Sequence, residues 1–276
     1  MHKCIKHLLL VVSFSSVIAL PTSYAINLKE KLKEKLPEST RMLLAVSDND
    51  EIRVGRQVAS NLLGVAPLVD NDGLQKYVNS VGRWVASQSE RPDLPWTFGV
   101  IESADVNAFA GPGGYILVTR GLYASLSDES ELAGVLAHEI AHVIKRHHIE
   151  IMRKGMLIAE GSKALEKKLA DDKDQLVKNL VGNGAEMFAR RLDQDAEHEA
   201  DRMGVVLATR AGYDPYGLPA VLQKIGSVSK TDDRVAILFK THPSPESRLQ
   251  KLHTAMGDKL LPYSRPQVGG KLYPLR

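Results

Sequence analysis

The segment Ala137-His138-Glu139-Ile140-Ala141-His142 holds the residues in this chain best suited to chemistry. Residues four apart on a helix stand one above the other, so His138 and His142 can aim ring nitrogens at one metal ion, with the Glu139 carboxylate beside them. Two imidazoles and a neighbouring base are the parts that metal-assisted hydrolysis requires: the ion activates a water and the carboxylate takes its proton. The pattern His-Glu-x-x-His carries that meaning only if it lies on a helix.

A helix is what the surrounding residues predict. Asp128 followed by Glu131 forms a capping box, and Leu132, Val135, Leu136, Ile140, Val143 and Ile144 recur at helical spacing up to the basic end Lys145-Arg146-His147-His148. Two histidines do not complete a zinc site, because hydrolytic zinc typically takes three protein ligands and leaves a fourth position for water. A second helical run, beginning near Ala185, supplies Asp195-Ala196-Glu197-His198-Glu199-Ala200-Asp201. Glu197 is the expected third ligand of one Zn2+ per chain. Asp201, one turn on and on the same face, is placed to accept the second ring N–H of a ligand histidine and so fix its tautomer. His147 lies five residues from His142, off its face, and His198 and Glu199 point away from Glu197, so none of these, nor His148, is expected to bind the metal.

Two later residues are candidates for catalysis. His242, before two prolines in Thr241-His242-Pro243-Ser244-Pro245, can be held over the metal by a rigid loop. There it would stabilise an oxyanion or fill the open coordination position in a closed form, the alternative being a structural role. Arg248 is a candidate for substrate or oxyanion contact, against the plainer reading of a salt bridge anchoring the last helix.

Around these lie helices over residues 51–63 and 74–87, and β-forming runs over residues 96–101 and 115–119. Between the runs, Asn107-Ala108-Phe109 leads into the turn cluster Gly111-Pro112-Gly113-Gly114. The expectation is an α+β fold, mostly helical, with a small antiparallel sheet packed beside the His-Glu-x-x-His helix. Asn107, Ala108 and Phe109 would offer an edge that an extended peptide can join through backbone hydrogen bonds. Residues 155–184, rich in charge, read as mobile cover over the cleft.

The N-terminus reads as a secretory signal over residues 1–25: Lys3 and Lys6, an apolar run over 8–20, then Ser23-Tyr24-Ala25 for cleavage. That run falls short of the ~20 residues a membrane span needs. The single cysteine, Cys4, precedes the run, so it cannot be a lipid acceptor, and the mature chain would have no disulfide. Residues 26–50 then form an amphipathic helix, with leucines at 28, 32 and 36, and a linker; this helix lies on the body or makes a peripheral membrane or partner contact. Residues 51–255 carry the metal site and 256–276 form a tail. Removing Lys3 and Lys6 from the 36 basic residues leaves 34 against 33 acidic ones, a net charge of +1, which gives no case for nucleic-acid binding.

His-Glu-Ile-Ala-His at 138–142 with Glu-His-Glu-Ala-Asp at 197–201 resembles the HtpX-like and CAAX-prenyl-protease-like zinc metallopeptidases, gluzincins whose second motif has the form Glu-x-x-Ala-Asp. Asn107-Ala108-Phe109, Gly113-Gly114-Tyr115-Ile116, Gly121-Leu122, Leu136-Ala137-His138 and Thr241-His242-Pro243 look like family segments as well, so the resemblance spans most of residues 51–252. It implies Glu197 as the third zinc ligand with Asp201 beside it, and a zincin-type metalloendopeptidase. It further implies a periplasmic enzyme, since a secretory signal replaces the transmembrane helices of membrane-bound members. The implied substrates are unfolded or misassembled envelope proteins. The resemblance leaves the oligomeric state open. Some periplasmic members carry a helical-repeat domain and others a lipid-acceptor cysteine; neither feature is expected here, and their functions are not carried over. Two further readings stay open: an envelope chaperone using the same cleft with little or no proteolysis, and a zinc hydrolase acting on cell-wall peptides.

Overall fold

The computed structural model describes residues 46–151, 193–229, 231–264 and 268–275. The expected signal, the helix over 28–36 and the expected cleft cover lie outside these residues.

Ser47 opens α1 (Asp48–Val65) by accepting from the Asp50 N–H at 3.2 Å, and Asn71 opens α2 (Asp72–Ala86) by accepting from the Leu74 N–H at 3.0 Å. A short side-chain acceptor at these points satisfies a donor that no helical carbonyl can reach. Leu74, Val78, Val81 and Val85 recur every three or four residues on α2 and are buried, so this helix covers one side of the core.

The strands β1 (Thr97–Ile101), β2 (Ala108–Gly111) and β3 (Tyr115–Thr119) form one sheet in the order β1-β3-β2. β3 pairs antiparallel with β2 but parallel with β1, so the sheet is mixed where an antiparallel one was expected. The cause is the β2–β3 hairpin, which docks with β3 inward and puts it between its two predecessors. Gly113 and Gly114 turn that hairpin at φ +73° and +99°, backbone that side-chain-bearing residues rarely adopt. A Cβ on Gly113 would also stand 2.5 Å from the Ile52 Cα of α1. β2 is left as an edge strand, with no other strand on its outer side among the described residues.

Thr119 caps the short α3 (Arg120–Ser125), which leads to α4 (Glu129–Ile144). Asp128 caps α4 by accepting from the Glu131 N–H at 3.0 Å, while the Glu131 carboxylate accepts from the Ser127 N–H at 2.7 Å and pairs with Lys224. α4 is buried along almost its whole length, its polar residues His138, Glu139 and His142 included. Packed on it are α5 (Gln194–Arg210) and α6 (Gly217–Ser227); α7 (Ala236–Thr241) and α8 (Pro245–Leu260) complete the helical layer, α8 lying across α5 and α6. α5 approaches α4 closely because residue 204 is glycine: a Cβ there would stand 2.9 Å from the His138 nitrogen.

The last described residues fold back over the start of α4. The Gly270 carbonyl accepts from the Glu129 N–H at 3.0 Å, and Tyr77 and Tyr213 donate their hydroxyls to the Glu129 carboxylate at 2.8 and 2.9 Å. The fold is thus α+β and mostly helical, with the sheet on one flank of the buried α4. Among the described residues no helix is long and apolar enough to cross a membrane.

Candidate active site

Helical spacing on α4 brings His138 and His142 together, their Nε2 atoms 3.0 Å apart. Asp193 caps α5 by accepting from the Ala196 N–H at 2.8 Å, which starts that helix where Glu197 falls in its first turn and faces α4. Glu197 Oε1 stands 3.5 Å from His142 Nε2 and Glu197 Oε2 stands 3.7 Å from His138 Nε2. His242, at the junction of α7 and α8, puts its Nε2 3.6 Å from Glu197 Oε1. One ligand atom from each of His138, His142, Glu197 and His242 lies within 4.8 Å of every other, and all four residues are buried.

These atoms suit a metal ion. Ligands held at 2.0–2.2 Å around a tetrahedral centre sit roughly 3.3 Å from one another, close to the separations found here. Glu197 is 0% exposed and neither of its oxygens has a hydrogen-bond partner, an arrangement that is costly for a carboxylate unless a cation or proton joins it. Burial pushes its pKa well up, against the pull of the Arg248 guanidinium. Burial holds His138, His142 and His242 below the usual imidazole range, with Arg248 adding to the effect for His138 and His242 and His138 adding to it for His142. The three rings are therefore neutral at pH 7, with lone pairs free to bind a metal ion. Two or three imidazoles with one carboxylate are a donor set typical of zinc.

Each ring that turns Nε2 inward has its Nδ1 held from outside. His138 Nδ1 meets Asp201 Oδ1 at 3.1 Å. His242 Nδ1 meets Thr241 Oγ1 at 2.9 Å, and His142 Nδ1 meets His147 Nδ1 at 2.9 Å. Arg248 is committed to Asp201, donating from Nε to Oδ2 at 2.9 Å and from Nη2 to Oδ1 at 2.6 Å, with Nη1 3.5 Å from Glu197 Oε2. It is the salt bridge that anchors α8, yet the carboxylate it grips is the one that holds His138. The two carboxylates beside Arg248 diverge: the guanidinium and the His138 hydrogen bond carry Asp201 far below the usual carboxylate range despite its burial, whereas burial dominates for Glu197.

Glu139 is buried on α4 next to His138, and burial, opposed by Arg248, pushes its carboxyl up to about 7. Ala108 and Phe109 lie in β2 beside α4. Asn107 stands one residue before that strand, its carbonyl accepting from the Thr119 N–H at 3.0 Å and its buried Oδ1 without a partner. His198, buried on α5, has neither ring nitrogen hydrogen-bonded.

One residue that holds the site together has no sequence motif. Glu51, fully buried on α1, accepts from both Nη atoms of Arg91 at 3.1 and 2.9 Å, pairs with Arg146 Nε at 3.0 Å and accepts from the Gly113 N–H at 3.2 Å. It ties the end of α4 to the β2–β3 turn. An apolar helix face interrupted by Glu was the only hint of it.

Residues 73–256 match the model of peptidase family M48. The chain is 33% identical over 213 residues to the β-barrel assembly-enhancing protease of Escherichia coli K12, covering 74% of this chain and 43% of that protein. It is 30% identical over 205 residues to the mitochondrial metalloendopeptidase OMA1 of Arabidopsis thaliana, covering 73% of this chain and 40% of that one. With the metalloprotease LoiP of Escherichia coli K12 it shares 30% identity over 166 residues, 59% of this chain and 63% of the relative. The chain thus spans less than half the length of the assembly-enhancing protease it matches. The match over residues 73–256 contains α4, α5 and His242, every element that builds the buried His-His-Glu-His cluster, and the chain belongs to peptidase family M48.

Proposed function

We propose that this chain is a zinc-dependent endopeptidase of the cell envelope, with His138, His142 and Glu197 as the metal ligands. The observation that carries the reading is the Glu197 carboxylate, wholly buried, without a hydrogen-bond partner, and facing two ring nitrogens at 3.5 and 3.7 Å. When bound, a zinc ion would supply the positive charge that acidifies a water and polarises a scissile carbonyl. Glu139, the next residue along α4 from His138, takes the proton of the attacking water and returns it to the leaving amine. Asp201, gripped by Arg248, keeps His138 in the tautomer whose Nε2 lone pair faces the centre. The open edge of β2 holds the substrate extended through backbone hydrogen bonds, which suits unfolded or misassembled polypeptides more than a folded epitope. Export by a signal in residues 1–25 would deliver the enzyme to the periplasm, where such substrates arise. A relative's name, β-barrel assembly-enhancing protease, supports that setting.

A second reading, a chaperone that holds polypeptides with little cutting, is favoured by one observation: the His242 ring occupies the fourth corner of the cluster, where water or substrate would have to enter. Glu139→Gln separates the two readings. Hydrolysis of casein by the wild type, abolished by chelator and lowered about 10²- to 10⁴-fold in the variant with its metal retained, supports the endopeptidase. Casein cleavage at the wild-type rate by Glu139→Gln would overturn the role of that residue.

A further inference from the structure

The partner of His142 is unlike the partners of the other two rings. His138 leans on a carboxylate and His242 on a hydroxyl, but His142 Nδ1 leans on a second imidazole, His147, at 2.9 Å. His147 is 7% exposed, and its remaining nitrogen, Nε2, stands 3.4 Å from Glu199 Oε2 on α5. Lys145 holds the other oxygen of Glu199 at 2.9 Å.

Had α4 continued past Lys145, His147 would stand five residues on from His142, about 140° around the helix and unable to reach its ring. It reaches because Arg146 takes φ +55°, a left-handed conformation uncommon outside glycine, after which a new helical turn starts at His147. That turn is held from α1: the Arg146 guanidinium pairs with Asp48 and, through Nε, with Glu51 at 3.0 Å. A residue in a sparsely populated conformation persists when its surroundings over-determine it, and here two acidic side chains of another helix do so.

We propose that His147 and Glu199 are positioning residues for the metal ligand His142, a two-member relay parallel to the Asp201–Arg248 support of His138. The proton count is closed. A neutral His142 that points its Nε2 lone pair into the cluster carries its proton on Nδ1 and donates it to His147 Nδ1. His147 then carries its own proton on Nε2 and donates it to the Glu199 carboxylate. Either ring in the other tautomer leaves two N–H groups or two lone pairs opposed across 2.9 Å. The anion at the end of the chain thus selects the tautomer in which His142 can bind a metal.

This proposal rests on the metal-site reading, and the test separates the two. Cobalt(II) is bound to the metal-free full chain in competition with a chelating dye, and the visible absorption of the bound ion is recorded for wild type, His147→Leu, His147→Asn and Glu199→Gln. Asn carries an acceptor oxygen near the place of His Nδ1; Leu carries none; Gln at 199 can donate to His147 and so oppose the required tautomer. His147→Leu is expected to weaken cobalt about 10- to 100-fold and to shift its absorption bands, His147→Asn to recover most of that loss, and Glu199→Gln to lower affinity to a smaller degree. The metal-free forms should melt alike, which a merely structural role for His147 would not give. Should His147→Leu fail to fold, Glu199→Gln, which leaves the buried ring in place, decides the matter. Wild-type affinity and spectrum in His147→Leu or in Glu199→Gln would overturn the relay, as would an equal loss in Leu and Asn. A wild-type chain that binds no cobalt would overturn the metal-site reading and the relay with it.

Discussion

Replacing Asp201 by Asn removes one charge from a buried pair while keeping the side chain's shape. Asp201 and Arg248 are 1% and 5% exposed, and the guanidinium grips both carboxylate oxygens at 2.9 and 2.6 Å. Neutralising one partner of such a pair strands the other charge and costs about 3–5 kcal/mol. Glu197 Oε2, 3.5 Å from Arg248 Nη1, gives the stranded cation a second anion to turn to, so the lower end, about 3 kcal/mol, is expected. For a domain of this size that lowers Tm by about 6–12 °C. Metal affinity falls as well, about 10- to 100-fold, because His138 loses its anionic acceptor and Arg248 competes for Glu197. Adding Arg248→Met separates the effects: with both charges gone, stability returns to within about 1 kcal/mol of wild type, while metal affinity stays low. Urea unfolding of the metal-free proteins reads the first quantity, and zinc competition with a chelating dye reads the second. A loss below about 1 kcal/mol in Asp201→Asn, as from an exposed pair, would refute the buried-pair argument. Wild-type metal affinity in the double variant would refute the link to His138.

If His242 closes the fourth corner of the cluster, His242→Ala should raise the initial rate of casein cleavage several-fold at saturating zinc; a fall of about 10² or more would instead assign the ring to oxyanion stabilisation. Stability should fall in alkali for a reason visible at the start of α4. Burial holds the phenols of Tyr77, Tyr123 and Tyr213 above their ordinary range, aided for Tyr77 and Tyr213 by hydrogen bonds to Glu129 and for Tyr123 by its charge, and the Tyr123 phenol is pushed up to about 12. A raised folded pKa means that the unfolded chain ionises first, so this contribution is intact below about pH 10 and is lost as pH rises from there toward 12. Urea midpoints across that window should decline less steeply in Tyr213→Phe than in wild type, and equal slopes would count against the phenol–Glu129 bond.

What could be read from the sequence was local or periodic. The cap at Asp128, the apolar spacing of α4 and the four-residue separations within 138–142 and 197–201 each follow from the geometry of a single helix, and the structure keeps them, with the Glu131 carboxylate reaching back to the Ser127 N–H rather than to that of Asp128. What could not be read depends on how elements meet. The sheet is mixed because the β2–β3 hairpin docks with β3 inward, a choice that strand propensities do not encode. His147 was set aside as off the His142 face, a sound inference for a continuing helix that fails at one left-handed residue, Arg146. Arg248 presented as a substrate contact or an anchor; its commitment to Asp201 emerges only when α8 lies across α5. Glu51 gave no signal beyond its interruption of an apolar helix face, because its partners Arg91, Gly113 and Arg146 come from three distant parts of the chain.

The measurement that bears most directly on the account is the metal content of the purified chain, wild type beside Glu197→Ala, by elemental analysis after dialysis at neutral pH. The account predicts about one zinc per wild-type chain and a loss of most of it in the variant, because three protein ligands hold the ion and the missing one supplies its only negative charge. Equal zinc in both proteins, or none in the wild type, would contradict it.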